Sequence, residues 1–224
     1  MNLKYLRLLP WIDTRARYVS KAPKGGHLLD VATSDGETLR HMAELRPDLH
    51  FSAVDLNPVD PDKLPVGTTF SVCDVMQQDL PIKNNALDMA TVMHLIEHLQ
   101  ETDHFFSELS RVIKPGGVLY LEYPHPKTVN LPPAPKDSSG RAVYTMNFYD
   151  DLTHLEVPNT EKVVQDLKKQ GFEPVGTGIS RNLVFALAYL LYYRYAGKGR
   201  QKYTSKAHFL GWSEYVCLRK QSSL

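Results

Sequence analysis

The 224-residue chain has little cysteine, only Cys73 and Cys217, with no CxxC pair and no Cys/His cluster at zinc spacing. A disulfide framework is excluded, no metal is expected, and a reducing, cytoplasmic setting is the default. The start, MNLKYLRLLPWIDTRAR, lacks the apolar core of about 7–15 residues that marks a secretory leader. No run reaches the roughly 20 apolar residues that cross a bilayer. Repeats and low-complexity tracts are missing too, so solenoids, propellers and disordered chains are out. Nor is there an excess of one charge: 26 Lys and Arg face 25 Asp and Glu, and bulk attraction to nucleic acid is not expected. What remains is 42% hydrophobic and 23% charged. That is enough for one domain with a sizeable core over residues 1–224, interrupted by insertions at 124–158 and 181–213.

Short apolar, β-branched runs alternate with helix-like segments. The runs at 27–31, 51–55, 69–73, 87–93 and 118–123 suit strands covered on both faces. Between them, 37–45 and 101–113 read as helices, the second carrying Phe105, Phe106, Leu109, Val112 and Ile113 on one stripe before Pro115-Gly116-Gly117. Residues 160–170 form a later helix, and strands at 173–179 and 215–219 finish the chain. The alternation predicts an α/β fold, a doubly wound parallel sheet with helices on both faces. Ligands of such sheets sit beyond the carboxyl ends of the strands, where the 124–158 insertion can cover them.

Three strand ends carry chemistry. The first is His27-Leu28-Leu29-Asp30-Val31-Ala32-Thr33-Ser34-Asp35-Gly36, a strand, a tight turn and a helix start. Ala32 and Ser34 stand where a pyrophosphate cradle would want glycine, so a dinucleotide is poorly supported. Asp55 ends the next strand and can accept both hydroxyls of a ribose; a turn-forming Asp before Asn57-Pro58 is the alternative. Asp74, after the third strand, can accept from an exocyclic amine. Together they describe an adenosine site.

These blocks resemble the class I S-adenosyl-L-methionine-dependent methyltransferases. The likeness runs in order through LLDVATSDG (28–36), VDLN (54–57), CDVMQQDLP (73–81), ALDMATVMHLIEHL (86–99) and RVIKPGGVLYLEYP (111–124). His94–Leu99 is similar to the segment written VLEHL in the branch acting on small molecules and lipids. The resemblance implies a Rossmann-like seven-stranded sheet with its last strand antiparallel. It also implies a methionine moiety over Asp30, Ala32, Ser34, Asp35 and Gly36, a ribose on Asp55, and adenine between Leu56 and Asp74-Val75, with His94 at the transfer end. Where the family writes G-x-G-x-G, this chain writes Ala32-Thr33-Ser34-Asp35-Gly36, and a left-handed residue there would cost roughly 1–2 kcal/mol.

An oxygen acceptor needs a base for its departing proton, and histidine suits. His94, His125 and His154 fall near strand ends; His98 is expected to face the following helix. His154 is preferred, because Asp150-Asp151-Leu152-Thr153-His154 resembles a D-H-T-H loop of relatives that modify sugars or lipids, with Asp151 orienting the imidazole. The acceptor class implied is a small or lipid-linked molecule, including a saccharide. No N-P-P-Y motif points to nucleic acid. The rival reading is a noncatalytic binding or regulatory module whose Ala32/Ser34 turn impairs cofactor binding.

Residues 181–220 carry eight Lys and Arg against Glu214 alone, and six of the twelve tyrosines. Within them 182–196 (NLVFALAYLLYYRYA) is apolar on every face, which predicts a helix buried in a lid or a homodimer, or one touching a membrane surface. At about 22 Å it is too short to span a bilayer. The basic residues Arg194, Lys198, Arg200, Lys202 and Lys206 can attract an anionic acceptor or lipid surface.

Overall fold

Leu87–Met93 is buried along most of its length, with apolar side chains on both faces, so it forms a central strand. Around it, the computed structural model describes residues 4–196 and 199–222. In chain order the main elements are α1 (Thr14–Val19), β1 (His27–Val31), α2 (Glu37–Leu45), β2 (His50–Asp55), β3 (Thr69–Val72), β4 (Leu87–Met93), α3 (Asp103–Val112) and β5 (Ile113–Pro124). They continue with α4 (Thr160–Lys169), β6 (Phe172–Ser180), α5 (Leu183–Ala188), α6 (Arg200–Leu210) and β7 (Ser213–Lys220).

The seven strands lie in the order β3-β2-β1-β4-β5-β7-β6. Strands β1 to β5 pair in parallel, and β7 runs antiparallel to both β5 and β6. The doubly wound sheet is therefore present, with its last strand reversed. Successive residues serve opposite faces, as the pleat requires. Leu29 and Val31 pack with Phe105, Phe106, Leu109 and Val112 of α3, whereas Leu28 packs with Leu39 and Met42 of α2. Each such side chain, fully buried, contributes about 1.5–3 kcal/mol.

Three readings need correction. Helix α3 starts at Asp103 and not at 101, and Ile113 already belongs to β5. Helices α1 and α6 were not anticipated. Asp13 caps α1, its carboxylate accepting from the Ala16 backbone N–H at 2.8 Å and from Asn182 Nδ2 at 2.9 Å. Finally, 182–196 is not one regular helix buried within the chain's own fold. It forms α5 and a π-helical turn at Tyr189–Tyr193. Helix α6 covers one side of this segment, with Phe185 stacked on His208 and Tyr189 against Phe209. A segment apolar all round leaves its other side uncovered: Leu187 is 53% and Leu191 69% exposed. No helix among the described residues is long and apolar enough to cross a membrane.

Candidate active site

The parallel strands all deliver their carboxyl ends to one edge of the sheet, and a cavity of about 850 Å³ opens there. It is lined by Ala32 and Ser34 after β1, Asp55 and Leu56 after β2, Asp74 and Val75 after β3, and His94 after β4. Glu97 and His98, with Thr145, Asp151, Thr153 and His154 from the 124–158 insertion and Trp212, are also part of its lining. Trp212 fixes that insertion, since its indole N–H donates to the Met146 carbonyl at 2.7 Å. A second cavity of about 340 Å³, lined by Arg17, Lys21, Asp88, Lys114 and Arg219, lies at the amino-terminal edge of the parallel strands, away from these groups.

The first turn is built under strain. Ala32 has φ 58° and Ser34 φ 52°, both in the left-handed region that favours glycine. The strain is held by Asp55, whose carboxylate accepts from the Ser34 N–H at 2.8 Å and from the Asn57 N–H at 3.0 Å. Ala32→Gly should therefore stabilise the fold by about 0.5–1 kcal/mol, because relief of the left-handed cost exceeds the added freedom of the unfolded chain. Urea unfolding checks this, and a destabilised variant would show that the Ala32 methyl is packed rather than strained.

Several expected residues stand elsewhere. Asp30 is buried behind the turn, accepting from Thr33 Oγ1 and Thr91 Oγ1 at 2.7 Å each. Burial raises its pKa, with those two hydroxyls opposing. Asp35 faces solvent and caps the Glu37 N–H. Gly36 has φ 70°, and a Cβ there would meet the Lys63 carbonyl at 2.6 Å, so the chain's close approach already requires glycine. None of the three lines the cavity. His125 does not line it either: its Nδ1 accepts from the Lys127 N–H at 3.0 Å and its Nε2 lies 3.3 Å from Glu214.

His94 lines the cavity but is not free to act as a base. Its Nδ1 donates to Glu97 Oε1 at 3.2 Å, and its Nε2 lies 3.7 Å from Glu122. Burial works against its charge, but the Glu122 and Glu97 carboxylates outweigh it and push its pKa up to about 9. An imidazolium at neutral pH has no lone pair to offer. Glu122 in turn accepts from Tyr120 and Ser180 and pairs with Arg15 at 3.2 Å. Burial opposes its ionisation, yet Arg15 and His94 hold its carboxyl well below the usual range.

His154 is oriented differently from expectation. Its Nδ1–H donates to the Phe148 carbonyl at 2.6 Å and its ring stacks on Phe148. Asp151 lies instead 4.0 Å from Nε2. His98, expected to face α3, turns into the cavity from the 3-10 turn Ile96–His98, its ring 4.7 Å from that of His154. The sequence reading missed Glu97, His98, Thr153 and Trp212 as lining groups.

A seven-stranded sheet in this order, with β7 reversed and the cavity over the strand ends, defines the class I S-adenosylmethionine-dependent methyltransferase fold. Residues 4–176 match the family described as "Methyltransferase domain". The chain belongs to that family. An S-adenosylmethionine-dependent methyltransferase from Mesorhizobium loti superposes with a TM-score of 0.66 at 15% identity, over 96% of this chain and 98% of its own. One from Archaeoglobus fulgidus gives 0.60 at 19% identity, over 96% and 94%. In sequence, the ubiquinone/menaquinone biosynthesis C-methyltransferase UbiE of Syntrophotalea carbinolica is 29% identical over 107 residues, 45% of each chain. Ajmaline N-methyltransferase of Rauvolfia serpentina is 28% identical over 108 residues, 44% of this chain and 36% of its own. The shared stretch is less than half the length of these curated relatives.

Proposed function

We propose that the protein transfers a methyl group from S-adenosyl-L-methionine to an oxygen of a small or lipid-linked acceptor, such as a saccharide. The observation that carries this reading is one cavity lined by two chemically distinct sets of residues. Asp55 can take the ribose hydroxyls, Leu56 and Asp74-Val75 the adenine, and the Ala32–Ser34 turn the methionine end. The second set, His98, His154, Asp151 and Thr153, offers proton acceptors to the group being methylated. When bound, the cofactor supplies an electrophilic methyl group, so the protein's share is alignment and handling of the acceptor's proton. Alignment alone can be worth roughly 7–11 kcal/mol of barrier. The free, buried thiols of Cys73 and Cys217 support a cytoplasmic setting.

S-adenosylhomocysteine at 100 times its Kd should stabilise the folded state by about 2.7 kcal/mol. Asp55→Ala should weaken its binding by roughly 1.5–3 kcal/mol, about 10- to 150-fold, through loss of the charged acceptor. No stabilisation of the wild type at millimolar ligand would favour the noncatalytic module.

The exposed Leu187, Leu191 and Tyr192 beside Arg194 support contact with a lipid surface that presents the acceptor. Arg194, Lys202 and Lys206 have no ion-pair partner among the described residues, whereas Arg200 pairs with Glu37; Lys198 lies outside the described residues. Binding to anionic vesicles should weaken as salt rises, because the Debye length is already about 8 Å at 0.15 M. Salt-insensitive self-association on sedimentation would assign this face to a homodimer instead.

A further inference from the structure

At the acceptor end of the cavity, Glu97, His98 and His154 each offer one ligand atom, and these atoms lie within 4.8 Å of one another. Hydrogen bonding leaves this group rich in lone pairs and short of donors. The Phe148 carbonyl can only accept, so His154 carries its proton on Nδ1 and presents Nε2 bare. His98 is fixed the same way. Its Nδ1 faces the Thr153 carbonyl at 3.2 Å and Thr153 Oγ1 at 2.9 Å, and that hydroxyl spends its own proton on Asp151 Oδ1 at 2.7 Å. Nδ1 of His98 must therefore donate, leaving Nε2 as an acceptor. Glu97 is 1% exposed; its Oε1 accepts from His94 Nδ1–H, and its Oε2 is buried with no hydrogen-bond partner. Native structures leave few buried polar atoms in that state. Asp151 Oδ2, 4.0 Å from His154 Nε2, adds a second carboxylate to the same spot.

We propose that Glu97, His98 and His154 bind a divalent transition-metal ion, zinc being the probe of choice, with one position open to the acceptor. Imidazole nitrogens with a carboxylate suit zinc, manganese, iron or nickel better than magnesium. An Nδ1–H held on a carbonyl is the outer hydrogen bond that ligating histidines commonly make. Ligand atoms around zinc stand about 3.4 Å apart for bonds near 2.1 Å, so the present spacing of up to 4.8 Å has to close on the ion as it binds. The site's catalytic role rests on the methyl-transfer reading. The ion would polarise the acceptor O–H, so that with metal bound His98 and His154 act on the departing proton through the ion and the proton itself passes to Asp151. The O–CH3 bond forms as the C–S bond breaks, and sulfur keeps the electron pair.

Untagged protein stripped with chelator is titrated with Zn²⁺ by calorimetry, and Co²⁺-loaded protein is read by visible absorption. One equivalent should bind, with an intense Co²⁺ spectrum of a low-coordinate nitrogen/oxygen site. Glu97→Gln, His98→Asn and His154→Ala should each weaken Zn²⁺ by more than about 100-fold, beyond what loss of an outer hydrogen bond usually costs. His125→Ala, outside the cavity, should leave it unchanged. Circular dichroism confirms that each variant is folded; if one is not, the remaining two decide. No stoichiometric uptake, or uptake that survives in the folded variants, overturns the proposal. S-adenosylhomocysteine binding, measured in parallel, keeps the two readings apart: cofactor binding without metal uptake removes the ion alone.

Discussion

His154→Ala is expected to lower kcat by about 10²- to 10⁴-fold with any accepted substrate, the usual contribution of a group that handles the reacting proton. S-adenosylhomocysteine affinity should hardly change, because His154 comes from the 124–158 insertion whereas Asp55 and Asp74 follow β2 and β3. The side chain is 4% exposed and pinned by the Phe148 carbonyl, so its removal takes away a positioned group and not a mobile one. Steady-state kinetics with a parallel calorimetric titration separates the two effects. A variant with near-native kcat would mean that alignment alone suffices. A variant that loses cofactor affinity instead would place His154 among the cofactor's contacts.

Glu122→Gln should cost about 3 kcal/mol of stability, equivalent to a fall in Tm of roughly 6–12 °C for a chain of this size. Glu122 is 3% exposed and is the common acceptor for Tyr120, Ser180, Arg15 and the His94 imidazolium. Neutralising it leaves two cationic groups without their shared counter-charge. The loss stays at the low end of the range for a broken buried pair, because the Arg15 side chain keeps 28% of its surface in water. Guanidinium unfolding of the variant measures it. A loss under about 1 kcal/mol would show that Arg15 and His94 find other partners. The same substitution should also disturb the cavity, since Glu122 holds His94 and His94 touches Glu97.

The sheet was legible because continuous apolar runs such as Leu87–Met93 can only be satisfied between two covering layers. The adenosine side followed from it, since residues directly after parallel strands must share an edge; Asp55, Leu56 and Asp74-Val75 do. Asp30 shares the strand but not the edge: its carboxylate is turned to Thr33 and Thr91, partners that a reading along the chain does not bring together. Helix α6 escaped notice because RQKYTSKAHFL lacks an apolar stripe and is held by α5 and the stacking of Tyr144 on Tyr203. The Glu97, His98 and His154 group had no signature either. Metal spacing rules read neighbours along the chain, and here a 3-10 turn after β4 meets a loop more than fifty residues later.

The central claim is that the adenosine side and the acceptor side belong to one methyl-transfer cavity, and a crystal structure with S-adenosylhomocysteine tests it most directly. The expected result is the ribose on Asp55, adenine between Leu56 and Asp74-Val75, and the sulfur turned toward His94 with open space between it and His98 and His154. Ligand bound in the cavity at the amino-terminal edge, or bound with its sulfur facing away from the two histidines, would contradict it.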